Sequence, residues 1–150
     1  LENALETLPW VATVDAFQHW IYTHPEHTVA ERTAKWVELF NAFNMQETDF
    51  TGQEKFKESA WHKQLHIFEV PFYYIEYGFA QLGAIAMWKN YKADKVKGLQ
   101  NYKEALKLGY TKPIGEIYKT GGIQFNFSTP YVKELKSFIE TELEKIETSK

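Results

Sequence analysis

Apolar residues recur at steps of three and four along almost the whole chain, which is the spacing of one face of an α-helix. We expect Pro9 to kink the first helix, because proline has no N–H to donate to the preceding turn. The pattern predicts helices over residues 1–22, 29–44, 53–67, 71–91, 95–108, 113–119 and 129–146.

Local signals mark several ends of these helices. Thr28 and Glu31 have the spacing of a capping box, in which each side chain accepts from the backbone N–H of the other residue. Asp94 is placed to cap the helix that follows it, and Gly109 is placed to end that helix in the left-handed conformation. Residues 45–52 read as a loop.

Residues 123–127, which alternate strictly, are the one segment with the pattern of a strand. The other predicted elements are all helices, so the pattern predicts an all-α fold, a helical bundle. A length of 150 residues is typical of one domain, here 1–150. Three helical faces are expected to point inward: Trp36, Val37, Phe40 and Phe43; Leu99, Tyr102, Ala105 and Leu106; and Tyr131, Leu135, Phe138, Ile139, Leu143 and Ile146.

Composition narrows the classes of partner. There is no cysteine, which excludes disulfides and thiolate zinc sites and is compatible with the cytoplasm. The lysines concentrate in the second half, but the only arginine is Arg32. Nucleic-acid surfaces usually use arginine for bidentate contacts. We therefore interpret the lysines as a solvated helical face and expect no nucleic-acid partner.

The run His66–Trp88 is almost uncharged and rich in aromatic rings, so it fits a membrane span, a core helix or the wall of a site. Its length is near the roughly 20 residues that a span needs. Glu76 and Gln81 lie in its middle, however, and a carboxylate at that depth is costly. We expect no membrane segment, and a helix whose phenols and carboxylate face a cavity.

The same region holds the candidate chemistry. His62 and His66 are four apart, as in a two-histidine zinc motif, but Lys63 stands where that motif carries its glutamate, so we expect no metal site. Tyr74 and Tyr77 share a helical face and offer neutral donors for a carbonyl or an oxyanion, although core packing explains them too.

Two glycines in the predicted helix also have two possible explanations. Gly78 and Gly83 each cost about 1 kcal/mol in a helix interior. Close approach of a ligand explains this cost, and close packing of another helix explains it equally well.

The segment HIFEVPFYYIEY, residues 66–77, resembles the H-x-F-E-x-P-F-Y…Y segment of the oligoendopeptidase F branch of the M3 zinc peptidases, the thimet-oligopeptidase-like family. Further segments resemble the same bacterial proteins in the same order: PWVATVDAFQHWIYTHPEHTVAERTAKW, GAIAMWKNYK, NYKEALKLG and GGIQFNFS. The likeness therefore runs through most of the chain.

The resemblance implies the C-terminal part of a zincin-like catalytic domain, belonging to a cytoplasmic metallopeptidase that hydrolyses short peptides. The family's HExxH zinc motif is not in the chain. The zinc of the full-length enzyme is then held by the missing N-terminal part, and these residues alone are expected to bind no zinc and to be inactive. The start at Leu1, inside a helical pattern, fits a piece of a longer polypeptide, and processing or laboratory trimming explains it equally.

The resemblance also implies roles for individual residues. His66 contacts the substrate near the scissile bond, and Tyr77 and Tyr74 stabilise the tetrahedral oxyanion. Further substrate contacts are expected from Tyr73, Glu76 and Gly78. The register of Tyr73 against Tyr74 is open by one position, because Glu69–Pro71 replaces the glycine-rich loop of the thimet oligopeptidase branch.

Two other functions fit the same residues. The chain can be a non-catalytic helical module that binds peptide or a partner protein through an aromatic groove. It can also leave an apolar face bare and self-associate to cover it.

Overall fold

The computed structural model describes residues 2–44 and 48–148, which form helices and no strand, so the all-α prediction is confirmed. Within this part of the chain, none of the helices is long and apolar enough to cross a membrane. The elements are α1 (Glu2–Thr23), α2 (Val29–Phe43), α3 (Glu54–Glu58), a 3₁₀ helix (Ala60–Lys63), α4 (His66–Glu69), α5 (Ile75–Ala93), α6 (Lys95–Leu108), α7 (Ile114–Thr120) and α8 (Thr129–Thr148).

The predicted end signals mostly act as expected. Thr28 and Glu31 form the capping box of α2, and the Asp94 carboxylate accepts from the backbone N–H of Lys97 at the start of α6. Gly109 follows α6 with φ of +51°, as glycine permits, but its ψ of −129° lies outside the left-handed helical region. α1 continues through Pro9. Of the predicted loop, residues 48–52 are not helical and residues 45–47 lie outside the described part.

The single helix predicted over 53–67 is wrong. The chain forms α3, the 3₁₀ helix and α4 instead, with non-helical joints at Ser59 and Gln64. Gln64 has φ of −91° and ψ of 84°, which breaks the helical path between Lys63 and His66. The four-residue spacing of His62 and His66, which in one continuous helix would place both rings on one face, therefore does not do so here.

The long helix predicted from Pro71 begins later, at Ile75. The preceding turn includes Phe72 with φ of +61°, a conformation that a bulky residue rarely adopts and that cannot belong to a right-handed helix. The strand-like residues 123–127 are not a strand, since the described chain offers no neighbouring strand. The rings of Phe125 and Phe127 pack on Phe79 instead, at centroid distances of 5.4 and 4.3 Å.

The described residues divide into two compact units, Glu2–Gly78 and the residues from Phe79 onward, with the boundary inside α5. A single domain over 1–150 stays a prediction. The first unit has an aromatic core in which the Phe17 ring lies 5.1 Å from Trp36 and 5.4 Å from Trp61. Phe43, predicted to point inward, is instead 43% exposed.

The second unit buries Leu135 and Ile139 of α8, as predicted, whereas Ile146 is exposed. The predicted inward face of α6 is mostly wrong: Ala105 is buried, but three larger side chains are open to solvent. The helical period identifies an apolar face but does not determine what covers it. The exposed residues are Leu99, Tyr102 and Leu106.

Two glycines of the second unit mark close contacts. A Cβ atom on Gly83 would lie 2.6 Å from the hydroxyl of Tyr118, which donates to the Phe79 carbonyl at 3.0 Å. A Cβ on Gly98 would lie 2.6 Å from the Cα of Tyr91, so α6 meets the backbone of α5 directly. Close packing thus explains Gly83, the second of the two explanations offered by the sequence.

Candidate functional site

The first unit brings His66 and three tyrosines together. His66 begins α4, Tyr73 and Tyr74 lie in the turn before α5, and Tyr77 lies in the first turn of α5. Their side chains meet because the chain reverses between α4 and α5. We call His66, Tyr73, Tyr74 and Tyr77 the tyrosine–histidine cluster.

The reversal depends on the turn at Phe72. Its backbone N–H donates to the buried side-chain oxygen of Gln18 at 3.3 Å. Its ring packs against His19 and Tyr22, at centroid distances of 4.8 and 5.1 Å. Contacts with α1 therefore hold the positive φ that turns the next two residues back toward His66.

The rings of the tyrosine–histidine cluster are in mutual contact. The imidazole of His66 stacks on Tyr73 at 6.0 Å and meets Tyr74 and Tyr77 edge-on at 4.9 and 5.6 Å. Tyr77 lies 5.0 Å from Tyr74 and 6.0 Å from Tyr73. Four of the six predicted site residues therefore share one place, although Tyr73 and Tyr74 reach it from a turn and not from a helix.

A row of hydrogen bonds runs through the cluster. The His66 Nε2 atom lies 3.3 Å from the Tyr77 hydroxyl, and its Nδ1 atom lies 2.6 Å from the amide nitrogen of Gln64. The Gln64 side chain, which is buried, accepts from the indole N–H of Trp10 at 3.0 Å. His66 is thus held on both ring nitrogens.

The phenols face both protein and solvent. Tyr73 is 50% exposed and Tyr77 43% exposed, whereas Tyr74 is half-buried beside them. Burial raises the pKa of the Tyr74 hydroxyl, a hydrogen bond with Trp10 opposes this rise, and the neighbouring Tyr77 adds to it. Tyr74 consequently stays neutral near pH 7 and keeps its proton for donation.

The other two predicted residues lie apart from the rings. Glu76 is exposed and makes no side-chain hydrogen bond or ion pair within the described residues. Gly78 is buried, and a Cβ atom there would lie 3.1 Å from the Val11 side chain of α1. Gly78 therefore permits close packing of α1, and substrate contacts by Glu76 and Gly78 stay predictions.

The described residues do not fit a zinc site. No group of three or more histidine, aspartate or glutamate side chains lies close enough there to hold a metal ion. The His62 ring packs against Trp61 at 4.2 Å, and the non-helical Gln64 separates it from α4.

Sequence reasoning missed Trp10 and Gln64. Gln64 was visible only as the middle of the segment His62–His66, and Trp10 lies 54 residues before it. No local spacing connects residues that far apart. A buried amide beside a histidine becomes informative only when both of its partners are known.

Two of three comparisons with known proteins found similar proteins. The model of "Peptidase family M3" matches residues 1–137. A crystal structure of a protein provisionally assigned as an oligoendopeptidase F is similar with a TM-score of 0.79 and 32% sequence identity. The match covers 95% of this chain and 25% of that chain, so the sequence spans a quarter of the length of that protein. Among curated proteins, no relative matches. With its family model matching nearly the whole length, the chain belongs to peptidase family M3.

Proposed function

We propose that this chain is the substrate-binding part of a zinc-dependent oligopeptidase of the oligoendopeptidase F type, cytoplasmic and acting on short peptides. The observation that carries the proposal is the tyrosine–histidine cluster, where two exposed phenols and a half-buried one surround a histidine held on both nitrogens. The membership in family M3 supports the reaction class.

Hydrolysis of a peptide bond requires stabilisation of negative charge on the carbonyl oxygen as water adds to the carbonyl carbon. A phenol suits this task because it is a neutral donor near pH 7. In the proposed mechanism the Tyr77 hydroxyl donates to that oxygen, and Tyr74 supplies a second donor. His66 holds the Tyr77 hydroxyl in place at 3.3 Å and contacts the substrate.

The remaining proposed contacts involve substrate binding. Tyr73 presents half of its surface to solvent while its ring stacks on His66, so it can cover one face of a bound peptide. Glu76 and Gly78 flank this surface in the sequence. The zinc ion of the full-length enzyme is proposed to be bound by residues outside this chain, since the described residues do not fit it.

The test is the substitution Tyr77→Phe in the full-length protein. Removing one oxyanion donor typically lowers kcat by roughly 10²- to 10³-fold, and we expect a loss in that range. Peptide cleavage is followed with a fluorogenic peptide. The control is Tyr110→Phe, because the Tyr110 side chain is fully exposed.

An unchanged kcat in Tyr77→Phe would remove Tyr77 from the proposed role. A purified full-length protein that binds short peptides and releases them intact, as measured by mass spectrometry, would favour the alternative of a non-catalytic peptide-binding module.

A further inference from the structure

The hydrogen bonds that reach Tyr77 begin at Trp10, and their directions can be worked out one by one. An indole N–H donates and never accepts. The Gln64 atom that lies 3.0 Å from it is therefore the amide oxygen. This fixes the orientation of the amide and directs its NH₂ group at the Nδ1 atom of His66, 2.6 Å away.

The orientation of Gln64 decides where His66 carries its proton. An amide NH₂ group only donates, so Nδ1 must accept with its lone pair. A neutral imidazole has a single N–H, which then lies on Nε2. The Nε2–H group faces the Tyr77 hydroxyl at 3.3 Å and donates to its oxygen.

Tyr77 is left with an uncommitted proton. Its oxygen accepts from His66, and no acceptor for its own O–H is found within the described residues. With 43% of the residue exposed, the O–H can point outward. Accepting a hydrogen bond also polarises a hydroxyl and makes it a stronger donor.

We infer that Gln64, oriented by Trp10, is a positioning residue that selects the Nε2–H form of His66 and so directs the Tyr77 O–H toward the substrate carbonyl. The inference rests on the proposed function for the identity of that acceptor. In the opposite tautomer, the bare Nε2 atom would accept from Tyr77, and the phenol proton would be turned away from the substrate.

The local fold supports this role. Gln64 is 9% exposed, and its non-helical backbone interrupts the path between the 3₁₀ helix and α4. A buried amide is costly unless both of its ends are bonded, and Trp10 and His66 satisfy one end each. The break in the helix thus places an amide where it bridges α1 and the imidazole.

The first experiment reads the tautomer without using activity. The full-length protein is labelled with nitrogen-15 on its histidine rings, and long-range nitrogen–proton correlations are recorded at about pH 8.5, well above the ordinary imidazole pKa of about 6.5. His66 is assigned from the signal lost in His66→Asn. We expect the proton on Nε2, and a proton on Nδ1 would overturn the inference.

The second experiment reverses the direction of the bond. In Gln64→Glu both side-chain oxygens are acceptors, so one keeps the bond from Trp10 and the other requires a proton on Nδ1. In its neutral form, His66 then has a bare Nε2 atom. We expect the tautomer signal to switch and kcat to fall toward the Tyr77→Phe level, by up to roughly 10²-fold.

Two comparisons separate positioning from a general structural effect. Gln53→Glu adds the same charge at an exposed residue outside the cluster and should leave both the tautomer and kcat unchanged. Gln64→Glu added to Tyr77→Phe should lower kcat no further, because Gln64 acts through the Tyr77 hydroxyl. An equal loss in both backgrounds would overturn the inference, as would an unchanged kcat in a variant whose tautomer has switched.

The two proposals fail in different ways. If the proposed function is wrong, Tyr77→Phe leaves kcat unchanged while the wild-type tautomer is still Nε2–H. If the Gln64 inference is wrong, the wild-type tautomer is Nδ1–H even where Tyr77→Phe behaves as expected.

Discussion

The contact between Gly98 and α5 gives a quantitative prediction about stability. α5 and α6 are joined through Asp94 alone, and at this corner Gly98 faces the backbone of Tyr91. A Cβ at residue 98 would lie 2.6 Å from the Tyr91 Cα and 2.8 Å from its nitrogen, whereas ordinary van der Waals contact begins at 3.4 Å. The substitution Gly98→Ala therefore forces the two helix backbones apart.

The size of the effect follows from two opposing contributions. Alanine favours a helix over glycine by about 1 kcal/mol, and inserting a methyl group into a packed site costs about 1–3 kcal/mol. The contact is with backbone atoms, which no rotamer change can relieve, so the upper end of that range applies. We expect Gly98→Ala to lower the free energy of unfolding by about 1–2 kcal/mol.

Urea unfolding followed by far-ultraviolet circular dichroism measures this change. The matched control is Gly115→Ala in α7, where a Cβ has no neighbour within 4 Å. That variant should gain about 0.5 kcal/mol from helix propensity alone. Equal stabilisation by both alanines would refute the reasoning, because it would mean that the corner has room for a side chain.

Two further predictions concern the second unit. Hydrogen bonds from Lys145 and Lys92, at 2.6 and 2.7 Å, lower the pKa of the buried Glu142 carboxyl. The ionised Glu142 carboxylate stabilises the fold at pH values above the unfolded pKa, about 4.3. This stabilisation is lost as pH falls through the lower pKa of the folded state. The urea midpoints of wild type and Glu142→Gln should therefore converge on acidification. Midpoints separated equally at about pH 6 and about pH 3 would contradict this. Leu106 is 61% exposed within an apolar face. The 150-residue chain should therefore self-associate as its concentration rises, and Leu106→Glu should reduce this association. Light scattering measures both effects. A wild type that is monomeric at every concentration would count against it.

Structural features that depend only on residues close together in the sequence could be predicted from it. The Thr28 capping box and the Asp94 cap each depend on a side chain and a backbone N–H three residues apart, and both form. His66, Tyr74 and Tyr77 were found because they lie within one short segment. Their meeting in space was not readable from that segment, because it depends on the chain reversal at Phe72.

Features decided by distant contacts were not readable. The turn at Phe72 depends on Gln18, and the orientation of Gln64 depends on Trp10, each 54 residues away. The local pattern of apolar residues gives no sign of either partner, so the sequence analysis predicted helix at both Phe72 and Gln64. The exposure of Leu99 is a related case, because an apolar helical face does not reveal whether anything covers it.

The one-residue corner at Asp94 also constrains the length of the chain. Each residue turns an α-helix by about 100°. One residue inserted beside Asp94 would move Lys97 into the place of Gly98, and one residue deleted would move Leu99 into that place. Either change would also rotate every later side chain of α6 by about 100°. Surface loops accept added residues, but we expect this corner to reject them because of the close contact at Gly98. Natural variants of this unit should therefore differ at the corner by substitution and keep the number of residues between Tyr91 and Gly98.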